Sequence, residues 1–266
     1  MVKITIGSAS DPGKEKNINQ DYHAYHMPAD GPMNKKGVLL ALADGMGGHG
    51  GGEIASKITV DTLIETYYND TSGSITESLN KAVLKANEEV IAKQLESIDL
   101  ARMGATLVAV VIRKNNMYFA HAGDSRGYLI YNNEIAQFTE DHSFVAGLVK
   151  AGAITEEEAL THPERHVITK AIGLSSELTV DATQIDQHIE KDLYILLCCD
   201  GLTDVVADEE ILSAVNQYRE PDIISEKLVE KANESGGPDN ITVLIARIDQ
   251  VDLISSFTDK LKDLVR

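Results

Sequence analysis

Cysteine is nearly absent from this 266-residue chain: Cys198 and Cys199 stand side by side in the apolar run Leu193–Cys199. Adjacent cysteines supply neither a disulfide framework nor the paired spacing of a structural zinc site. Their apolar setting marks them as buried strand residues rather than nucleophiles, and the expected setting is a reducing cytoplasm. Basic residues are scarce as well. Lys and Arg number 24 against 42 Asp and Glu, a formal net charge of −18. That balance argues against a nucleic-acid partner or an anionic membrane surface, both of which need a basic face. Long apolar runs are missing too. Val38–Ala43, Leu107–Ile112 and Leu193–Cys199 fall far short of the roughly 20 residues of a membrane helix. The segment Met1–Ser10 is too short in its apolar run for a secretory signal.

What the chain does contain is enough apolar residue, 43%, for a substantial core in one domain with an inserted lobe. Strands are expected at about 2–8, 37–43, 104–113, 116–122, 126–131, 192–199 and 241–248. Asn115-Asn116 and Asn132-Asn133 mark hairpin turns, which favour antiparallel pairing. Helical stripes run through Val60, Leu63, Ile64 and Tyr67, and through Leu79, Ala82, Val83, Ala86 and Val90. Two further helices carry Ile211, Val215 and Tyr218, then Ile224, Leu228 and Ala232. Residues 141–175 interrupt the strand series and form the lobe. Residues 251–266 read as a C-terminal helical tail beyond a domain of residues 1–250.

Acidic residues punctuate this pattern. Asp44 ends GVLLALAD, Asp124 ends MYFAHAGD and Asp200 ends LYILLCCD; Asp239 precedes ITVLIARI, and Asp21 lies in Asn19-Gln20-Asp21. One Asp-Gly is an ordinary turn. Several carboxylates converging at one sheet edge would repel, and a divalent cation removes that cost. Oxygen donors without clustered His or Cys select hard ions such as Mg²⁺ or Mn²⁺. Gly45, after Asp44, lets a backbone carbonyl approach an ion closely.

The segments Gly13…Lys16…Asn19-Gln20-Asp21, Ala43-Asp44-Gly45-Met46-Gly47-Gly48-His49, Gly123-Asp124-Ser125-Arg126, Asp200-Gly201-Leu202-Thr203-Asp204 and Gly237-Pro238-Asp239-Asn240 resemble the PPM (PP2C-type) metal-dependent protein phosphatase family in its bacterial form. The stretch from Leu148 to Gly173 resembles that family's flap, at about 143–175. The resemblance runs in order from about residue 5 to 248. It implies an α+β fold: a four-layer αββα sandwich of two antiparallel β-sheets flanked by antiparallel helix pairs. It also implies hydrolysis of phosphoserine and phosphothreonine in proteins by a water bridging two Mn²⁺ or Mg²⁺ ions. Asp44 would bridge both ions, Asp200 and Asp239 would bind the first and the Gly45 carbonyl the second. Asp21 would act through water, and Asp124 with Asp200 would serve a third, weaker ion. The implied partners are phosphorylated proteins and a Ser/Thr kinase, and the implied state is a monomer.

Two residues depart from the family pattern. Lys16 stands where the family usually has a phosphate-gripping arginine, and it offers a point charge without bidentate geometry. Gln20 replaces the acidic residue often found before Asp21. His49 is the candidate acid for the leaving alkoxide. His142 and His162 suit local hydrogen bonding, and Arg126 and Asp204 suit structural contacts near the site. Two rivals remain open. One is a phosphoprotein-binding pseudophosphatase without turnover. The other is a dinucleotide fold, because Gly45-Met46-Gly47-Gly48-His49-Gly50 matches G-x-G-x-x-G.

Overall fold

Within Val38–Ala43, Leu39, Ala41 and Ala43 enter one apolar cluster while Leu40 and Leu42 enter another. Leu107–Arg113 divides in the same way: Leu107, Ala109 and Val111 go to the first cluster, and Val108, Val110 and Ile112 to the second. Alternation sends neighbouring side chains to opposite faces. Strands buried on both faces therefore read as continuous apolar runs, and they require cover on both sides.

The structure, a computed structural model, describes residues 2–28, 35–48 and 51–251. The N-terminal half runs β1 (Lys3–Asp11), β2 (Tyr22–His26), β3 (Val38–Ala43), β4 (Gly45–Met46), α1 (Gly51–Asn69) and α2 (Ile75–Gln94). Next come β5 (Gly104–Ala105), β6 (Leu107–Arg113), β7 (Asn116–Ala122), β8 (Arg126–Tyr131) and β9 (Glu134–Gln137). After α3 (Phe144–Lys150) and α4 (Glu156–Leu160) follow β10 (Asp181–Ile185), β11 (Tyr194–Cys198), α5 (Asp200–Thr203), α6 (Asp208–Tyr218), α7 (Pro221–Glu234) and β12 (Ile241–Gln250).

One sheet has the order β1-β12-β11-β8-β9 and the other β10-β7-β6-β3-β2. Every pairing within them is antiparallel. Leu40, Leu42, Val108 and Val110 meet Ile195, Leu197, Leu244 and Ala246 between the sheets. Helices α1 and α2 cover the outer face of the second sheet through Val60, Leu63, Tyr67, Leu79, Val83 and Val90. Helices α6 and α7 cover the first through Ile211, Val215, Ile224 and Leu228. The result is the four-layer αββα sandwich that the resemblance implies. No described helix is long and apolar enough to cross a membrane.

Several boundaries differ from the sequence reading. The run 104–113 breaks at Thr106, whose side chain is diverted to the backbone of Asp44. The first hairpin turns at Lys114-Asn115, with Lys114 at φ 54° and Asn116 already paired to Arg113. Asn132 and Asn133 do form the second turn, at φ 50° and 63°. Edge strands β2, β9 and β10 carry too many polar residues to read as strands from sequence. The expected tail helix lies outside the described residues, apart from Val251. Because β3 lies between antiparallel neighbours and α1 leads into α2, the glycine motif does not sit in a βαβ unit.

Candidate metal centre

The sandwich brings its strand-end aspartates to one place. Asp21 precedes β2, Asp44 follows β3, Asp124 lies between β7 and β8, Asp200 opens α5 after β11, and Asp239 comes just before β12. Burial, then repulsion from Asp21, Asp200, Asp124 and Asp239, holds the Asp44 carboxyl well above the usual carboxylate range. Asp44 and Asp200 lie within hydrogen-bonding reach of each other. Burial pushes Asp21 up to about 6, against hydrogen bonds from Thr242 and Cys199. Burial and the charges of Asp204 and Asp239 push Asp200 up to about 6. Burial and Asp200 push Asp124 up to about 7.

Distant parts of the chain fix these groups. The Asp44 N–H donates to Thr106 Oγ1 (2.9 Å), and Thr106 Oγ1 also meets Ser125 Oγ (2.7 Å), tying the Asp44 and Asp124 loops together. Asn240 Nδ2 donates to the Pro12 and Ile18 carbonyls (2.9 and 3.0 Å), and its Oδ1 accepts the Gln20 N–H (2.8 Å). This laces the loop before Asp21 to Asp239. Thr242 Oγ1 donates to Asp21 Oδ2 (2.6 Å). Two glycines permit close backbone approach. A Cβ on Gly45 would stand 2.0 Å from the Gly52 carbonyl oxygen, and one on Gly201 2.0 Å from that of Asn240.

The Asp124 loop is also held by histidines. His121 Nε2 meets the Ser125 carbonyl (3.0 Å), and His142 Nδ1 accepts the Gly123 N–H (3.0 Å). The two rings stack at 4.7 Å. His142 Nε2 lies 2.7 Å from Asp181 Oδ2. His162 Nδ1 accepts the Glu164 N–H (3.1 Å). Arg126 forks onto Asp141, with Nη2 donating to Oδ2 (2.7 Å). Lys16 is half exposed and grips Asp239, its Nζ 2.8 and 2.9 Å from the two carboxylate oxygens. His49 lies outside the described residues.

The donor set fits hard divalent ions. Asp21 Oδ1 and Asp200 Oδ1 are buried without a hydrogen-bond partner, a costly state that a cation relieves. An ammonium already stands against Asp239. Thr106 carries only one signal in the sequence, a polar residue inside an apolar run. His166, whose Nδ1 lies 3.7 Å from Asp204 Oδ2, has no local signal in the sequence.

Fold and centre together define a class: an αββα sandwich with an oxygen-lined acidic centre at one end. The family model described as "Protein phosphatase 2C" matches residues 9–145 and 178–241, and the chain belongs to that family. It is 41% identical over 215 residues to the serine/threonine protein phosphatase PstP of Mycobacterium tuberculosis, covering 80% of this chain and 41% of that protein. The chain thus spans less than half the length of that relative. A crystal structure of Mycobacterium tuberculosis PstP superposes with a TM-score of 0.83 at 37% identity, covering 94% of this chain and 100% of that one. The PstP catalytic domain in complex with two manganese ions superposes at 0.78 and 35% identity, covering 93% and 99%.

Proposed function

We propose that this chain hydrolyses phosphoserine and phosphothreonine in proteins, with two Mn²⁺ or Mg²⁺ ions held by Asp44, Asp200, Asp239 and the Gly45 carbonyl. The observation that carries this is the convergence of partly buried carboxylates on Asp44, two with orphaned oxygens. Support comes from PstP, a family relative solved with two manganese ions. Ions of this kind, when bound, lower the pKa of a coordinated water towards about 7 and offset phosphate charge. That offset matters in a chain of formal charge −18.

The chain's own residues do the rest. Asp44 sits centrally enough to serve both ions. Asp21 offers its free Oδ1 to waters around them. Asp124, with Asp200, serves a weaker third ion. Lys16 brings an ammonium to the rim of the centre beside Asp239, where it would meet a phosphate oxygen of the substrate. His49 returns a proton to the leaving alkoxide of serine or threonine. The phosphatase domain occupies residues 1–250, with 251–266 a separate tail. The protein works as a cytoplasmic monomer on phosphoproteins, among them a Ser/Thr kinase.

Assaying the folded chain with Mn²⁺ on a phosphothreonine peptide tests this reading. Metal-dependent release of phosphate is the expected result. Tight peptide binding without release would point to the pseudophosphatase instead.

A further inference from the structure

Asp21 is held at both its backbone and its carboxyl by one closed ring of hydrogen bonds. The Asp21 N–H donates to Asn19 Oδ1 (3.1 Å), and Asn19 Nδ2 donates to Ser10 Oγ (2.8 Å). Ser10 Oγ and Thr242 Oγ1 stand 2.7 Å apart, and Thr242 Oγ1 donates to Asp21 Oδ2 (2.6 Å). Ser10 and Thr242 face each other across the β1–β12 pairing, whereas Asp21 leads into β2, an edge strand of the other sheet. The ring thus ties the first sheet to the start of the second.

The direction of every proton in the ring follows from its two ends. A backbone N–H can only donate, so the Asn19 carbonyl oxygen faces Asp21 and its NH₂ group faces Ser10. An ionised carboxylate can only accept, so the single Thr242 hydroxyl proton goes to Asp21 Oδ2. The remaining bond then runs from Ser10 to Thr242. Bonds in such a one-way chain polarise one another. Thr242 is fully buried, where an unpaired hydroxyl is costly. The Cys199 thiol also meets Asp21, but it is a weaker donor, and its sulfur accepts the Thr242 N–H (3.1 Å). One Asp21 oxygen is therefore committed to the scaffold. The other, Oδ1, is buried without a partner.

We propose that Thr242 is a positioning residue for the ion centre: its hydroxyl, set by Ser10 and Asn19, turns the Asp21 carboxylate so that Oδ1 is left for the waters around the ions. This rests on reading Asp21 as acting on the ions through water. Thr242 touches neither ion nor substrate in this role. It acts through the orientation of one carboxylate.

Calorimetric titration of Mn²⁺ into the metal-free full chain, beside steady-state kinetics on a phosphothreonine peptide, tests the role. Thr242→Val keeps the side chain's outline and removes the proton. It lowers Mn²⁺ affinity by about tenfold, the lower end of the loss seen when a ligand's outer partner is removed. The KM for peptide at saturating Mn²⁺ stays within about twofold, since substrate binding is untouched. Thr242→Ser restores the affinity. Ser10→Ala, at an exposed position of the ring, lowers it by about threefold, the scale of one weakened hydrogen bond, and decides the matter alone where Thr242→Val does not fold. In an Asp21→Ala background neither change lowers Mn²⁺ affinity further, because residues that act through one group are not additive. Unchanged affinity in the folded single variants, or the same loss with and without Asp21, overturns the inference while leaving the phosphatase reading intact. A parent chain that neither binds Mn²⁺ nor hydrolyses the peptide overturns both.

Discussion

The acidic centre and the flap meet at Asp204 and His166, yet they are built in opposite ways. The centre is held by bonds across long stretches of chain: Asp44 to Thr106, Gln20 to Asn240, Asp21 to Thr242. Asp44 and Asp200 follow β3 and β11, central strands whose side chains are buried on both faces. The flap is made of two short helices, α3 and α4, which bury only Val145 between them. α4 is tied locally, through the capping box in which Thr155 Oγ1 accepts the Glu158 N–H and Glu158 Oε2 accepts the Thr155 N–H, while the returning end of the flap is anchored to the sandwich by the Ala105–Ile172 bridge. The family model matches up to residue 145 and resumes at 178, omitting most of the flap. Chemistry that needs fixed geometry therefore sits on the sandwich, and the adjustable surface sits beside it.

The largest expected break comes from Asp44→Ala. Removing the carboxylate on which the others converge lowers kcat/KM by about a thousandfold or more, since ions at such sites supply several kcal/mol. Steady-state assays with saturating Mn²⁺ check it, and near-normal turnover would refute the shared-ligand role. Gly201→Ala attacks the scaffold instead. Its new Cβ meets the Asn240 carbonyl at 2.0 Å, so a loss of about 1–3 kcal/mol in denaturant unfolding is expected. An unchanged midpoint would show that the packing there yields freely.

The pH response separates the regions next. Folding raises the pKa of Asp21 and Asp200 to about 6 and of Asp124 to about 7. Their native forms then bind more protons than the unfolded chain, so their contribution is present at about pH 4 and lost as pH rises through about 7. Asp70 and Asp249, held low by hydrogen-bonding partners, act in the opposite sense. The informative quantity is the difference in Tm between Mn²⁺-loaded and metal-free protein. It widens from pH 4 to pH 7; a constant gap would contradict the burial of those carboxylates.

Lys16→Arg supplies a fork in place of a point charge and lowers KM for phosphopeptides by about threefold to tenfold, the scale of one added charge-assisted hydrogen bond. An unchanged KM would place Lys16 off the phosphate path. Smallest of all, Thr155→Ala removes the α4 cap. It costs about 1 kcal/mol, read as faster hydrogen exchange within the flap and no change in global Tm. A drop in global Tm would mean that flap and sandwich unfold together.

Much of this was legible before the fold was known. Apolar runs such as Leu107–Ile112 announce doubly buried strands, and the stripes at Val60–Tyr67 and Leu79–Val90 announce the helix pair. The acids at their ends mark the centre. Edge strands were illegible because DATQI and EIAQ face water and carry little apolar alternation. Thr106 was hidden inside an apolar run, and its role appears only when β3 and β6 pair. His166 was invisible because its neighbours, Asp200 and Asp204, lie more than thirty residues away in sequence.

A crystal grown with Mn²⁺ and measured at the manganese absorption edge tests the central claim most directly. The account predicts anomalous peaks for two ions, both within coordination distance of Asp44, with Asp200 and Asp239 on one of them. A fully occupied crystal with no peak within about 3 Å of the Asp44 carboxylate, beyond any Mn–oxygen bond, would contradict it.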